Sequence, residues 1–255
     1  MAAAADQTSE DSLLGGKLML RQPLRGHRFG HDAVLLAAAV PARPGEHAIE
    51  LGAGVGAAGL ALARRVEGLA VTLVELDPNL TALARENATR NALADRVRAF
   101  CLDVAAPVAQ FADAGLAPGC ADQVLMNPPF NVPHRPSPDH GRRLAHAAMP
   151  DTLTRWIDTA ARLLRPQGAL TLIWRADGLA DLLAALASGF GAIAVMPVYP
   201  KPGAGAIRVL VSAAKASNAP LSLLPGLVLA DSDNKPSAQA DAILRHGTAL
   251  ALTAR

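Results

Sequence analysis

The sequence predicts an α/β protein with a doubly wound, mostly parallel sheet of seven strands. Short apolar runs of strand length alternate with longer stretches of helical spacing, and this alternation is typical of a parallel sheet with helices on both faces. The chain has 255 residues, of which 51% are hydrophobic and 18% are charged. It is therefore long enough and apolar enough to form one such domain.

Six apolar runs have the length and composition of buried strands. They are residues 46–51, 69–75, 96–102, 122–126, 169–174 and 206–213. Four longer segments between them have helical spacing, and they are residues 55–66, 79–93, 151–165 and 178–187. Pro166 and Gly168 predict the end of the third helix, because both residues are typical of helix termination.

The two ends of the chain differ from this alternating middle. Residues 1–12 are acidic and lack the positive and apolar regions of a secretory signal, so we expect a disordered tail. Residues 13–255 are expected to form a single domain. It includes a short N-terminal helix, capped by Asp32 and running to Val40, and a C-terminal extension from Lys215 without assigned chemistry.

Composition excludes several classes of protein. No apolar run reaches the roughly 18 residues that a membrane-spanning helix needs. Cys101 and Cys120 have no metal-ligand or redox spacing, and we expect them to be reduced thiols of a cytoplasmic protein. The net charge of +2 permits a nucleic-acid partner but does not by itself indicate one.

The stretch IELGAGVGAAGLALA is predicted to be a strand, a glycine-rich turn and a helix. From Gly54 it matches the dinucleotide pattern G-x-G-x-x-G, with the acid Glu75 about twenty residues further on. S-adenosylmethionine is associated instead with an acid before G-x-G-x-G. The same turn presents that pattern as Glu50, Gly52, Gly54 and Gly56. Since both ligands need close backbone approach and a ribose-binding acid, the loop alone supports them equally.

Polar groups also follow the third and fourth predicted strands. Asp103 could accept a hydrogen bond from an adenine amino group, although a helix cap or a loop carboxylate is the simpler interpretation of this residue alone. The fourth strand is followed by Asn127-Pro128-Pro129-Phe130. This is the carboxyl end of the strand, where ligands bind in open α/β sheets.

The segment NPPF suits methylation of an exocyclic amine on a base. Such an amine is a poor nucleophile, because its lone pair is delocalised into the ring. The side-chain oxygen of Asn127 and the carbonyl of Pro128 offer two acceptors for the amino protons, and the prolines add no competing donor. Phe130 offers a face on which the base can stack. The alternative is a rigid proline turn with a buried phenylalanine.

The motifs ELGAGVG, VELD, LDV and NPPF, in this order, resemble the class I methyltransferases with a Rossmann-like fold that act on exocyclic or amide nitrogens. FGHDAVLL and the sequence from residue 146 onward resemble one branch, the bacterial tRNA adenine-N6 methyltransferase family. Studied members of that family modify the adenine beside the anticodon of a valine tRNA. The likeness covers about residues 13–250.

The resemblance implies a site for S-adenosyl-L-methionine. Its residues would be Phe29, Asp32, Glu50, Gly52, Gly54, Gly56, Glu75 and Asp103. Glu50 and the glycines would hold the methionine end, Glu75 the ribose hydroxyls and Asp103 the adenine amine. The first two residues of the set would line the pocket from the N-terminal side.

The resemblance also implies that Asn127, Pro128 and Phe130 hold the target base. Two residues depart from the commoner pattern. Residue 50 is Glu where Asp is more usual, and Asn131 stands where several RNA-base enzymes have His. The base pocket and the methionine end are therefore expected to differ in detail from those enzymes.

A basic, Pro- and Gly-rich stretch at residues 132–150 follows the motif. Arg135, Arg142 and Arg143 could contact RNA phosphates, and an ordinary solvated loop is an equal alternative. The histidines of this stretch are six residues apart, which matches no common metal pattern. Arg21, Arg25 and Arg28 could extend a positive rim.

We therefore expect a cytoplasmic S-adenosylmethionine-dependent N-methyltransferase, without a metal, that acts on an RNA base, with adenine N6 in a tRNA as the leading substrate. The alternatives are a protein glutamine-N5 methyltransferase, an rRNA guanine-N2 methyltransferase and a non-catalytic RNA-binding protein on the same fold. A nicotinamide oxidoreductase is disfavoured, because the fourth strand offers no hydride chemistry. The sequence leaves the oligomeric state open.

Overall fold

The computed structural model describes residues 8–25, 28–129 and 151–252. An N-terminal hairpin precedes a large sheet, and helices cover both faces of that sheet. The strands are β1 Thr8–Leu13, β2 Leu18–Pro23, β3 His47–Leu51, β4 Ala70–Glu75, β5 Val97–Cys101, β6 Ala121–Met126, β7 Leu164–Arg175, β8 Phe190–Tyr199, β9 Arg208–Lys215, β10 Ser222–Leu223 and β11 Leu227–Val228. The helices are α1 His31–Ala39, α2 Ala57–Arg65, α3 Pro78–Arg90, α4 Val108–Asp113, α5 Thr152–Leu163, α6 Leu179–Leu186 and α7 Ala238–His246.

The large sheet has the strand order β10-β8-β9-β7-β6-β3-β4-β5, and β11 also pairs with β8. The strands from β5 across to β7 are parallel, whereas β9 runs antiparallel to both of its neighbours. The predicted α/β class is thus confirmed. The predicted number of seven strands is wrong, because the two-residue strands β10 and β11 extend the sheet beyond β8 to nine.

The chain leaves β3 toward β4 and β5 and then crosses to β6 on the other side of β3. In open α/β sheets, a reversal of this kind opens a crevice at the carboxyl ends of the two strands that flank it. The turns after β3 and β6 therefore meet at one edge of the sheet. These turns are the glycine loop and the NPPF segment.

Two apolar layers hold the helices on the sheet. One layer contains buried residues of α1, α2, α3 and α7, and the other contains residues of α4, α5 and α6. Every residue of α2 from Ala57 to Ala63 is buried. Alanine and glycine dominate that helix, and their small side chains let its backbone approach β4 closely. A Cβ at Gly59 would lie 2.4 Å from a methyl carbon of Leu73.

The N-terminal hairpin differs from the predicted disordered tail. Thr8–Leu13 pairs antiparallel with β2, so the prediction is wrong for residues 8–12, whereas residues 1–7 lie outside the described residues. One side chain of α3 and the side chain of the residue that caps its C-terminus hold β2 in place. Asn87 and Asn91 each accept from a backbone N–H of β2 and donate to a backbone carbonyl of β2, at 2.8–3.0 Å.

Helix α1 begins one residue before Asp32, and its N-cap is Gly30. The predicted capping role of Asp32 is therefore wrong. The carboxylate of Asp32 instead accepts from the guanidinium of Arg208 at 2.9 Å. This ion pair joins the first turn of α1 to the start of β9.

The segment that follows α7 packs on helix α1. Leu250 and Leu252 are buried against the layer that contains α1, and the Leu250 N–H donates to the carbonyl of Ala38 at 2.8 Å. The C-terminal extension is thus part of the core. Within the described ranges, no helix has the length and apolar character needed to cross a bilayer.

Candidate active site

The glycine loop connects β3 to α2 through residues 52–56. Gly52, Gly54 and Gly56 all have positive φ, at +68°, +56° and +85°. A Cβ at Gly56 would lie 2.9 Å from a methyl carbon of Leu73. At Gly54, by contrast, no atom of the described chain lies within 4 Å of an added Cβ. The loop is therefore packed on the sheet at its end and open at its centre, as a ligand cradle requires.

Glu75 ends β4 beside this loop. Its Oε2 atom accepts from the Gly54 N–H at 2.7 Å, and its Oε1 atom accepts from the Asp77 N–H at 2.9 Å. Burial raises the pKa of Glu75, while these backbone donors oppose that shift. Each carboxylate oxygen has a second lone pair, so the group can still accept from ligand hydroxyls. The predicted contact with a ribose stays a prediction.

Glu50 lies in β3 and is only 5% exposed. Its Oε2 atom accepts from the Gly59 N–H of α2 at 2.7 Å. Burial, with a smaller contribution from the negative charge of Glu75, raises the pKa of Glu50 to about 8, although the Gly59 N–H opposes the shift. The carboxyl group therefore joins the first strand of the site to the helix. Direct contact with a methionine end stays a prediction.

Asp103 lies in the turn after β5 and is exposed. Its Oδ1 atom accepts from the Ala105 N–H at 2.8 Å. This is a loop carboxylate that stabilises its own turn, which matches the simpler of the two interpretations of this residue. The strand order places the turn two strands from β3 at the carboxyl edge. An adenine contact at Asp103 stays a prediction.

Asn127 follows β6 directly. Because Met126 pairs with Leu51, Asn127 lies beside Gly52 at the sheet edge. Its Oδ1 atom is buried and has no hydrogen-bond partner among the residues that the structure describes. Leaving a buried acceptor unsatisfied costs about 1–3 kcal/mol, and such groups commonly serve a function. The structure thus presents one acceptor of the predicted pair beside the glycine loop.

The remaining predicted residues are placed differently. Phe29 is half-buried against the α1 layer, and its N–H donates to Gln22 at 3.1 Å. Asp32 is paired with Arg208 rather than directed by any observed contact to the glycine loop. Pro128 is buried next to Asn127. Four predicted residues lie outside the described residues, namely Phe130, Arg135, Arg142 and Arg143.

Two of the three N-terminal arginines of the predicted positive rim are paired with carboxylates. Arg21 pairs with Glu86 and Arg28 pairs with Asp11, both at 2.8 Å. These arginines therefore stabilise the hairpin. In the described segments, no group of three or more His, Cys, Asp or Glu side chains could hold a metal ion.

One residue at this edge was missed by the sequence analysis. Trp156 of α5 directs its six-membered ring at Gly52, and a Cβ on that glycine would lie 2.3 Å from the Cη2 atom. The helical pattern alone marks Trp156 as an ordinary core residue. The available signal was its rarity, since the chain contains only two tryptophans.

The strand order reverses at β3, and a glycine cradle and an acceptor lie at the ends of β3 and β6, respectively. These features define the class of the chain as an α/β protein that binds an adenosine-containing cofactor. The particular family follows from a family model. Residues 27–198 match the model described as methyltransferase small domain. The chain belongs to this family, and the resemblance inferred from its motifs is confirmed.

Relatives and a solved structure agree with this assignment. A Porphyromonas gingivalis protein named tRNA1(Val) (adenine(37)-N6)-methyltransferase is 32% identical over 159 residues, which are 61% of each chain. An Actinobacillus pleuropneumoniae protein of the same name is 30% identical over 206 residues, covering 80% of this chain and 83% of the relative. The chain thus spans about three fifths of the length of the first relative.

A solved structure from Agrobacterium tumefaciens, described as a "predicted O-methyltransferase", superposes with a TM-score of 0.74. It is 30% identical and the match covers 86% of this chain and 98% of that one. A Thermotoga maritima structure at 19% identity, with a TM-score of 0.53, shares the fold. These matches confirm the predicted class I methyltransferase architecture.

Proposed function

We propose that the protein transfers a methyl group from S-adenosylmethionine to the exocyclic N6 of an adenine in a tRNA. The observation that carries this proposal is the buried, unpartnered Oδ1 atom of Asn127 beside the open glycine cradle, within the described part of the chain. Relatives named as tRNA adenine-N6 methyltransferases support the same substrate.

The residues at this edge fit S-adenosylmethionine. The backbone around Gly54 would hold the methionine end, because it is open to a ligand. The fixed carboxylate of Glu75 would accept from the ribose hydroxyls, and Asp103 would accept from the adenine amine. Phe29 and Asp32 would line the pocket from the α1 side. When bound, the cofactor supplies an electrophilic methyl group on its sulfonium.

The chain itself contributes acceptors and position. The Asn127 Oδ1 atom and the Pro128 carbonyl would each accept one hydrogen bond from the target amine, which turns the nitrogen lone pair out of conjugation. Phe130 would support the base from one face. An amide oxygen does not take up a proton near neutral pH, so Asn127 cannot act as a general base. Rate enhancement would therefore come from positioning and electrostatics. The amine, which becomes acidic once alkylated, would release its proton to water, with the neutral thioether of the cofactor as the other product.

The acceptor favours nitrogen over a hydroxyl as the methylated atom. Transfer to a hydroxyl is helped by a general base. Asn127 provides none, Glu50 is buried against the Gly59 N–H, and Glu75 is assigned to the ribose hydroxyls of the cofactor. The O-methyltransferase description of the Agrobacterium protein therefore receives less support from this site than N-methylation does.

The substrate proposal also covers the basic stretch after the motif. Arg135, Arg142 and Arg143 would contact phosphates of the tRNA. A tRNA substrate would place the reaction in the cytoplasm.

Nucleoside mass spectrometry of total tRNA, from cells with and without the gene, tests the substrate. We expect N6-methyladenosine in tRNA to disappear without the gene and to return with the wild-type gene. An unchanged RNA profile would contradict the proposal and favour a protein glutamine substrate or a non-catalytic role.

The role of Asn127 is tested with purified protein. We expect Asn127→Ala to bind S-adenosylhomocysteine with wild-type affinity in calorimetry, yet to lose about 100-fold or more in methyl transfer to tRNA. Asn218→Ala is the matched control, because Asn218 is an exposed asparagine away from this edge. Wild-type turnover by the Asn127 variant would refute the mechanism.

A further inference from the structure

Trp156 contacts the glycine loop from the opposite side to α2. It lies on α5 and packs with the apolar layer of α4, α5 and α6. The ring atoms Cη2, Cζ3 and Cζ2 lie 2.3, 2.9 and 3.4 Å from the position of a Cβ on Gly52. The ring edge therefore occupies the space that any side chain at position 52 would need.

Gly52 is itself fixed. Its N–H donates to the Val74 carbonyl at 2.9 Å, and its φ of +68° suits glycine. Met126 pairs with Leu51, so Asn127 lies beside Gly52. Trp156 therefore lies where the glycine loop meets the unpartnered Oδ1 atom of Asn127, among the residues that the structure describes. The edge of the indole is thus held against a rigid piece of backbone at the centre of the site.

The exposure of Trp156 distinguishes it from a core residue. Trp174, the other tryptophan, is 6% exposed, whereas Trp156 is only half-buried although its ring edge is pressed on Gly52. Part of the Trp156 residue is consequently left uncovered. A flat aromatic face is also suited to a cationic centre, because the ring quadrupole attracts positive charge.

We propose that the Trp156 ring is a wall of the cofactor site that contacts the methionine end of S-adenosylmethionine near its sulfonium. The inference rests on the proposed function for the identity of the cofactor. It makes Trp156 a cofactor-binding residue.

Calorimetric titrations with S-adenosylmethionine and S-adenosylhomocysteine test this contact. S-adenosylhomocysteine is a neutral thioether and lacks the positive charge. We expect Trp156→Leu to weaken binding of the cation by about 3- to 30-fold, with a smaller loss for the neutral ligand. Trp156→Phe should keep most of the affinity for both. Wild-type affinity of Trp156→Leu for both ligands overturns the inference.

Intrinsic fluorescence reports the contact independently of any RNA. Saturating S-adenosylhomocysteine should change the tryptophan emission of the wild-type protein and of Trp174→Phe, but leave that of Trp156→Phe nearly unchanged. A full emission change in ligand-saturated Trp156→Phe would overturn the contact, because Trp174 would then be its source. Melting curves without ligand check that each variant is folded.

These measurements separate the two proposals. Wild-type protein that binds both ligands and shows the Trp156 signal, but does not methylate tRNA, contradicts the substrate proposal and supports the contact. Equal binding by wild type and Trp156→Leu contradicts the contact alone. Wild-type protein that binds neither ligand overturns both.

Discussion

Glu50 is a buried acid at the base of the glycine loop, and its surroundings govern its protonation. Its pKa is raised from 4.5 to about 8, chiefly by burial. Between these two values the native protein holds a proton that the unfolded chain releases. The free energy of unfolding therefore falls as pH rises through this window, by up to about 1.4 kcal/mol per pH unit.

Glu50→Gln tests this linkage. Glutamine is neutral and can still accept from the Gly59 N–H, so the variant should lose this part of the pH dependence between pH 5 and 8. Denaturant unfolding at four pH values measures it. Parallel profiles for the variant and the wild type would show that Glu50 is ionised in the native state.

Gly52 and Trp156 form a second residue-scale test, because each limits the size of the other. Gly52→Ala should abolish S-adenosylhomocysteine binding or lower it by about tenfold or more, since the added methyl meets the indole ring at an unfavourable φ. Adding Trp156→Leu should recover part of the stability lost by Gly52→Ala. Strictly additive effects in the double-mutant cycle would contradict the contact.

Single residues of the site also show what could and could not be predicted from the sequence. The acid before the glycines and the acid at the end of β4 were both identified from spacing. The hydrogen-bond partners of these two acids were not identified. A sequence pattern does not reveal that Glu50 faces Gly59 in α2 while Glu75 faces Gly54. Trp156 was missed for a similar reason, as its partner lies about a hundred residues earlier in the chain.

Among the secondary-structure elements, α3 links the N-terminal hairpin to the site. Asn87 is fully buried and exchanges hydrogen bonds with Arg21 of β2, while its amide also donates to the Val55 carbonyl of the glycine loop at 3.0 Å. The Asn87 side-chain amide thus gives the backbone of β2 the hydrogen bonds that a neighbouring strand would otherwise supply. The hairpin is thereby coupled to the cradle.

Asn87→Ala should lower the free energy of unfolding by about 2–3 kcal/mol, because it leaves three backbone groups without a partner. It should also weaken S-adenosylhomocysteine binding by loosening the loop at Val55. Asn79→Ala on the same helix is the control, since Asn79 is exposed. Equal unfolding free energies for the two variants would contradict a stabilising role of the Asn87 hydrogen bonds.

Helices α1, α2, α3, α5 and α6 and the central strands were predicted to within a few residues, because each has a clear apolar period and a strong turn signal. Helices α4 and α7 were not predicted. β1 was missed because its sequence TSEDSL is polar. Its partner β2 was missed as well, because the place of β2 depends on the side chains of Asn87 and Asn91, some 70 positions later. β8 was missed because Gly191 and Pro197 interrupt its apolar run. In the structure, the backbone of Ser217 passes so close to Gly191 that any Cβ there would clash.

At the scale of the whole molecule, ligand binding should stabilise the fold, because the site joins elements from both sides of the strand reversal. At 100 times its dissociation constant, a ligand adds about 2.7 kcal/mol to the free energy of unfolding. S-adenosylhomocysteine should therefore raise the melting temperature of the wild type by several degrees.

Glu75→Ala should remove most of this ligand-induced shift, because it deletes the carboxylate that holds Gly54 and would bind the ribose. Glu67→Ala, an exposed glutamate in the turn before β4, should keep it. Thermal melts with and without ligand measure both variants. A full shift in the Glu75 variant would remove this residue from the cofactor site.

The contact between Leu250 and Ala38 has a consequence for the order in which the protein matures. Helix α1 is synthesised early, yet its Ala38 carbonyl obtains its partner only when residue 250 has been added. A nascent chain that lacks the segment after α7 therefore holds α1 with part of its surface uncovered. Final closure of that layer must wait for synthesis of this segment, so deleting the segment is expected to slow maturation before it affects the chemistry.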